Sequence, residues 1–243
     1  MHEIHISLGS EKLGTFLGLP ITNTLLMTLL GTATLFLIIF LSRNVSLLPN
    51  KFQVFMELLI GGIFNFVKET LESVSLAKKY FPLIATLFLS IVVANLIHFL
   101  PGVHSILFLT NEGKEVALLR GATSDLNVTL ALALISFVSI ELAGVYALGF
   151  SYAKKFVNLD SFLGFVIGII DLFSEAARLI SFSFRLFGNI FAGEVVIAII
   201  VAFIPVIAPV PMMGFEFFVG IIQAAIFALL TLFFIKSAVT PHH

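Results

Sequence analysis

Three apolar runs stand out along the first part of the chain: about Asn23 to Leu41, Phe81 to Leu100, and Leu126 to Phe150. A helix needs about 20 apolar residues to cross the hydrocarbon core of a bilayer, so each run predicts one crossing. Between the first two, KFQVFMELLIGGIFNFVKETLES places Gln53, Glu57, Gly61, Asn65, Lys68 and Glu72 at helical spacing. One narrow polar stripe on an apolar cylinder predicts a helix over 51–72 lying in the membrane interface. A re-entrant hairpin broken at Gly61 and Gly62 is the alternative.

From Phe156 to Ile204 there is no proline and little interruption of apolar character. As one helix this stretch is about 70 Å long, against a hydrocarbon core of about 30 Å, so it cannot stand upright as a single rod. It either crosses twice or lies steeply tilted along something else. The segment PVIAPVPMMG reads as a loop, and a last apolar helix follows from Phe215 to about Ile235, ended by Lys236. With one crossing in 156–204 the chain crosses five times. Arg43, Lys51, Lys68, Lys78, Lys79, Lys154, Lys155 and Lys236 then share one side, and Lys12, Lys114 and Arg120 the other. The richer side is expected to be cytoplasmic, with residues 1–22 outside and the C-terminus inside.

Composition agrees with this reading. Of 243 residues, 59% are hydrophobic and 11% charged, and the mean hydropathy is +1.14, which excludes an ordinary soluble domain. No Pro/Gly/Ser-rich linker divides the chain, so 1–243 reads as a single membrane unit. A net charge of -1 gives no reason to expect nucleic acid. Without cysteine there is no disulfide, thiolate metal site or haem attachment, and no metal is expected. The segment MHEIHISLGSEKLG lacks the basic start of a signal peptide, and no A-x-A site follows the first apolar run, which is therefore expected to be retained.

The candidate chemistry lies in the long segment. At 100° per residue, Asp171, Ser174, Glu175, Arg178, Ser181, Arg185 and Asn189 fall within an arc of about 120°, and Glu194 points nearly opposite. Ionisable groups cost about 2.5 to 3.5 kcal/mol each at a bilayer's centre on insertion scales, so such a stripe must face protein or water. Arg178 has Asp171 and Glu175 at helical pairing distance. Arg185 has no acid three or four residues away, and a guanidinium holds its proton under all physiological conditions. It can act only as a fixed positive charge, repelling cations and favouring the ionised form of any carboxylate that approaches. In the last helix Glu216 and Gln223 are seven apart and share a face. An antiparallel hairpin would bring Glu194 and Glu216 to one level, as a wall of a water-filled path from outside. His98 is a pore group or a hydrogen-bonded bystander, and Glu141 serves packing or the pathway.

The stretch RLFGNIFAGE, followed by IIQAAIF, resembles subunit a of the F-type ATP synthase, and ANLIHFLPG and TSDLNVTLALAL extend the resemblance over most of the chain from residue 55 onward. The resemblance implies an all-α integral membrane protein of about five crossings. Its last two helices are long and tilted, forming a hairpin along a rotor ring, with an interfacial amphipathic helix besides. Implied partners are the c-subunit ring, the peripheral-stalk b subunit and the remaining ATP synthase subunits, in a bacterial inner membrane. Implied roles are the essential arginine at Arg185, with Asn189, Glu194 and Gln223 beside two ion half-channels. Glu216, Ser181, Asp171, Glu175, Arg178, Glu141 and His98 are the further pathway candidates. Leu179 stands where many members have proline, and Glu216 where several bacterial relatives have histidine. The chain has no phosphate-binding glycine loop or Walker lysine, so nucleotide chemistry would belong to partner subunits and no cofactor is expected. A secondary transporter or channel using buried Arg and Glu is the alternative, although no internal repeat is visible.

Overall fold

The computed structural model describes residues 9–16, 18–43, 45–99, 106–109, 115–149, 152, 162–204 and 207–240. In chain order these form β1 (Lys12–Phe16), β2 (Leu19–Thr22), α1 (Asn23–Ser42), α2 (Lys51–Leu71), α3 (Val74–His98), β3 (Leu107–Leu109), β4 (Glu115–Ala117), a 3-10 turn (Ala122–Ser124), α4 (Leu126–Leu148), α5 (Phe162–Phe203) and α6 (Pro209–Val239). The protein is an all-α, multi-pass integral membrane protein: α1, α3, α4, α5 and α6 are each long and apolar enough to cross a bilayer.

Local chemistry sets where the helices begin. Thr22, Asn50, Ser73 and Asp125 each sit in extended backbone and accept a hydrogen bond from a first-turn N–H, a cap worth about 1 kcal/mol apiece. α2 ends where Glu72 adopts a left-handed conformation (φ 53), and Ser73 immediately caps α3. α2 runs unbroken through Gly61 and Gly62, so the re-entrant hairpin does not form.

Three boundaries differ from the sequence expectation. α3 starts at Val74 rather than Phe81 because Lys78 and Lys79 do not end it: the Lys79 ammonium lies 5.3 Å from the Tyr80 ring and 5.4 Å from the Tyr146 ring, while its stem stays on the helix. α6 starts at Pro209 rather than Phe215, since prolines in a first turn remove only N–H groups that have no helical partner. The same helix runs past Lys236 to Val239. α5 is one continuous helix of 42 residues from Phe162, so the two-crossing reading of this stretch falls away; Phe156 to Asp160 lie outside the described residues. At 1.5 Å per residue it measures about 63 Å, twice the hydrocarbon thickness.

α3, α4, α5 and α6 form the packed bundle, with α2 against α3 and α6 and α1 at the edge against α3. Lipid tails are as apolar as leucine, so burial between helices rests on close packing rather than escape from water. Small residues at the contacts serve this: Ala133, Ala224 and Ala228 are buried with Leu87, Ile91, Phe182, Leu186, Phe227 and Leu232. α5 and α6 run antiparallel, and residues that meet climb one helix as they descend the other: Gly193 with Glu216, Asn189 with Gln223, Phe182 with Phe227, Arg178 with Phe234. Between α1, α2 and α3 an apolar groove of about 700 Å³ remains open.

One end of the bundle carries a polar cap absent from the sequence expectation. β1 pairs antiparallel with β2, and β3 with β4. At the start of α1, the Asn23 amide donates to the Ala117 carbonyl (3.3 Å) and its Oδ1 accepts from the Glu11 N–H (3.1 Å). The Thr24 hydroxyl donates to Asp125 (2.9 Å), whose other oxygen caps α4.

Candidate functional site

α5 separates its two sides sharply. Phe182, Ser183, Leu186, Phe187 and Ile190 are buried against the bundle, whereas Ser174, Ser181, Arg185 and Asn189 are exposed. Ser183, fully buried, shares a hydrogen bond of 3.1 Å with Thr129 of α4. Of the stripe expected from periodicity, Ser174, Ser181, Arg185 and Asn189 therefore face outward. Among the described residues Arg185 makes no ion pair or hydrogen bond within this chain. One turn along, the Asn189 amide donates to Gln223 Oε1 of α6 at 2.6 Å, and the Gln223 Nε2 is buried without a partner.

Toward the capped end lies a buried acidic site. Glu194 Oε1 is 3.5 Å from His98 Nε2, and its Oε2 is 3.9 Å from the Arg120 guanidinium. Gly121 makes the approach possible, because a Cβ there would lie 2.6 Å from His98 Nδ1 and 3.2 Å from Glu194 Oε1. Glu216 comes from α6, and its carboxylate fills the space that a side chain at Gly193 would take. Both Glu216 oxygens are buried with no hydrogen-bond partner, an arrangement that calls for water in so polar a site. Asn95 and Thr123 stiffen this wall: the Asn95 amide donates to the Gly220 carbonyl (2.9 Å) and accepts from the Thr123 hydroxyl (2.7 Å).

A second inward cluster sits toward the other end. Arg178 donates to Glu175 at 2.5 Å while its guanidinium lies 3.8 Å from the Phe234 ring centroid. Of the two acids near Arg178 in sequence, Glu175 is therefore the partner. Asp171 is half-buried and is not brought to it. Glu175 is itself buried, turned away from the exposed stripe on which its position had placed it. Tyr152 hydrogen-bonds Glu141 of α4, and its ring occupies the space left by Gly144. Burial first, then the charges of Glu141 and Glu175, push the Tyr152 phenol above the ordinary tyrosine range, so it stays protonated and donates. Ile140, Tyr152, Glu175, Arg178, Phe234 and Ser237 enclose a cavity of about 20 Å³, room for roughly one water.

Along α5 the three features are spaced in order: Arg178 lies seven residues, about 10 Å, to one side of Arg185, and Glu194 nine residues, about 14 Å, to the other. Every pathway candidate from the sequence falls at one of these three places except Asp171. Residues that sequence reasoning passed over are Arg120, Asn95, Thr123, Gly121, Gly193 and Tyr152. All act through contacts between distant segments, and for a lone arginine in a loop no local signal exists.

A family model described as "ATP synthase A chain" matches residues 24–236. The chain is 33% identical to ATP synthase subunit a of Geobacter sulfurreducens over 243 residues, covering 100% of this chain and 94% of that one. It is 35% identical to ATP synthase subunit a of Desulfotalea psychrophila, with 99% and 98% covered, and 35% identical to that of Geotalea daltonii, with 83% and 80% covered. A membrane bundle with an outward, locally unpaired arginine between two inward polar clusters, matched along almost its whole length, belongs to the ATP synthase A chain family.

Proposed function

We propose that this chain is the stationary ion-path subunit of a rotary ATP synthase, and that the outward stripe of α5 faces a ring of c subunits. One observation carries the reading: Arg185 stands exposed at the centre of that stripe with no counter-charge among the described residues of its own chain. A carboxylate on a passing c subunit supplies one. In lipid such a carboxylate is neutral because desolvation disfavours the charge; opposite a guanidinium it ionises and releases its ion. The same fixed charge stops cations leaking directly between the two ends, so rotation becomes the route. Glu194, Glu216, His98, Asn189 and Gln223 form the entry path from outside. Glu141, Asp171, Glu175 and Arg178 form the exit, and Ser181 lies with Arg185 on the ring-facing stripe. The length of α5 fits a helix tilted along the ring wall.

The peripheral-stalk b subunit and the other synthase subunits complete the assembly. Residues 51–72 lie in the interface, α5 (Phe162–Phe203) and α6 (Pro209–Val239) form the ring-facing hairpin, and the excess of Lys and Arg puts the C-terminus in the cytoplasm of a bacterial cell with residues 1–22 outside.

The test is Arg185→Ala in the assembled complex reconstituted in vesicles. Coupled ATP synthesis and ATP-driven ion pumping should both vanish while the c ring still co-purifies. Arg185→Lys should fail as well, because an ammonium lacks the flat fork and sheds its proton more readily when buried. Coupled synthesis near the wild-type rate in either variant defeats the reading.

A further inference from the structure

We propose that Asn95 is a positioning residue: it pins the height and rotation of α6 in the bundle, and so keeps Gln223 level with Asn189 beside Arg185. The proposal rests on the reading that Gln223 and Asn189 serve the ion path, and it adds what holds them in register.

Asn95 of α3 is buried, and both ends of its amide are used. The nitrogen donates to the Gly220 carbonyl of α6 at 2.9 Å, and the oxygen accepts from the Thr123 hydroxyl at 2.7 Å. Thr123 is buried too, so the 3-10 turn fixes which way the amide points and aims its donor at α6. Gly220 permits the approach, because a Cβ there would lie 3.2 Å from the Asn95 Cβ. Gly220 is a mid-helix residue whose carbonyl already belongs to the α6 ladder. The bond from Asn95 therefore rescues no orphaned acceptor. What it adds is a fixed point between three segments: α3, the 3-10 turn and α6.

That point lies where α6 needs one. Glu216 stands four residues before Gly220 and Gln223 three after it, on one face of the helix. Around them α6 packs through apolar side chains, Ala224 and Phe227 against Leu87, Ile91, Phe182 and Leu186. Apolar packing in lipid tolerates more than one height, whereas a hydrogen bond to one carbonyl is made at one height only. A slip of α6 by one residue would carry Gln223 about 1.5 Å along the axis and about 100° around it. The Asn189 to Gln223 bond, now 2.6 Å, would not survive that. The Lys236 to Glu72 tie cannot substitute, since it is exposed and lies sixteen residues, about 24 Å, farther along α6. α5 has its own buried tie, Ser183 to Thr129 of α4, so each helix of the hairpin is located by a different neighbour.

The experiment uses the whole complex in vesicles. Asn95→Leu combined with Thr123→Val removes both polar partners with little change of shape and leaves no group orphaned, so assembly should be nearly unaffected. Coupled synthesis should nevertheless fall by about three- to tenfold. Register is read separately, in a chain that has no cysteine of its own. Asn189→Cys and Gln223→Cys are bridged by a short bifunctional thiol reagent, and the bridged peptide is measured by mass spectrometry. With Asn95 and Thr123 intact the bridge should form; in the Asn95→Leu, Thr123→Val background it should form about threefold less, which a contact that only adds stability would not cause. Wild-type synthesis in the assembled double variant overturns the proposal, and so does slowed synthesis with unaltered bridging. Should the double variant fail to assemble, Thr123→Val alone decides: it frees the Asn95 amide to turn and should lower both readings by a smaller factor, and wild-type values overturn the proposal. Arg185→Ala, run beside these, separates the two levels. If it retains coupling, the functional reading itself fails; if it abolishes coupling while the Asn95→Leu, Thr123→Val enzyme keeps the wild-type rate, only the role of Asn95 fails.

Discussion

Glu216 and Gly193 meet as a carboxylate seated where a side chain would otherwise be, so the smallest possible substitution reaches the acid directly. The atoms in the way belong to the end of Glu216 and not to any backbone, which means that Gly193→Ala moves the acid and leaves the fold. We expect Gly193→Ala to assemble and to lose synthesis by roughly tenfold or more, in line with the cost of misplacing a reacting group by about 1 Å. Combining it with Glu216→Asp, which withdraws the carboxylate by one methylene, should return part of the rate; a normal rate in the single variant would make Glu216 a bystander. Arg185 was legible from sequence because a charge without an acid at helical spacing is a local fact. Arg120 was not, because what it does depends on a turn near residue 121 bringing it to a helix more than seventy positions away.

Helix existence followed from apolar run length, which the bilayer fixes, so the five long apolar helices were readable, although run length alone left 156–204 open to two crossings. Helix ends were less so. The prolines at 209 and 211 look like loop residues until it is clear that a first turn has no use for their missing N–H groups. The sidedness of α5 was readable from its period and yields a prediction about its neighbours. Cysteines placed at Ser181 and Asn189 should crosslink to a c subunit, whereas one at Ser183, buried against Thr129, should not. The absence of native cysteine keeps the background clean. The reverse pattern would mean that the stripe faces something other than the ring. At the opposite end, Lys236 of α6 bonds Glu72 at 2.7 Å. This hydrogen bond, then the Lys236 charge, holds the Glu72 carboxyl below its ordinary value of 4.5. A lowered carboxylate contributes stability that is fully present above its unfolded value and is lost as pH falls through the lowered one. Amide protection factors in the last turn of α6, corrected for the intrinsic slowing of exchange by acid, should therefore fall on acidification below about pH 4.5 in low salt, and Glu72→Gln should remove that dependence.

Across the whole molecule, the two hairpins and the 3-10 turn fasten segments that lie a hundred positions apart. Thr24 to Asp125 is the most buried of these ties. Thr24→Val keeps the shape and leaves a buried carboxylate oxygen without its donor, which should cost about 1–3 kcal/mol and appear as a lower melting temperature in detergent. An unchanged temperature would mean that water replaces the hydroxyl. None of this cap was foreseen, since strands of three to five residues carry too short an alternation to read. The packing of α1 has a mechanical consequence. On the proposed function a ring bears on α5, and its push would pass into α4 and α6, then from α6 to α3 and, through Lys236 and Glu72, to α2. α1 touches α3 at the margin, with an open groove behind it, and lies outside that line of force. Softening α1 should leave the bearing stiff, whereas loosening α6 should let the motor slip.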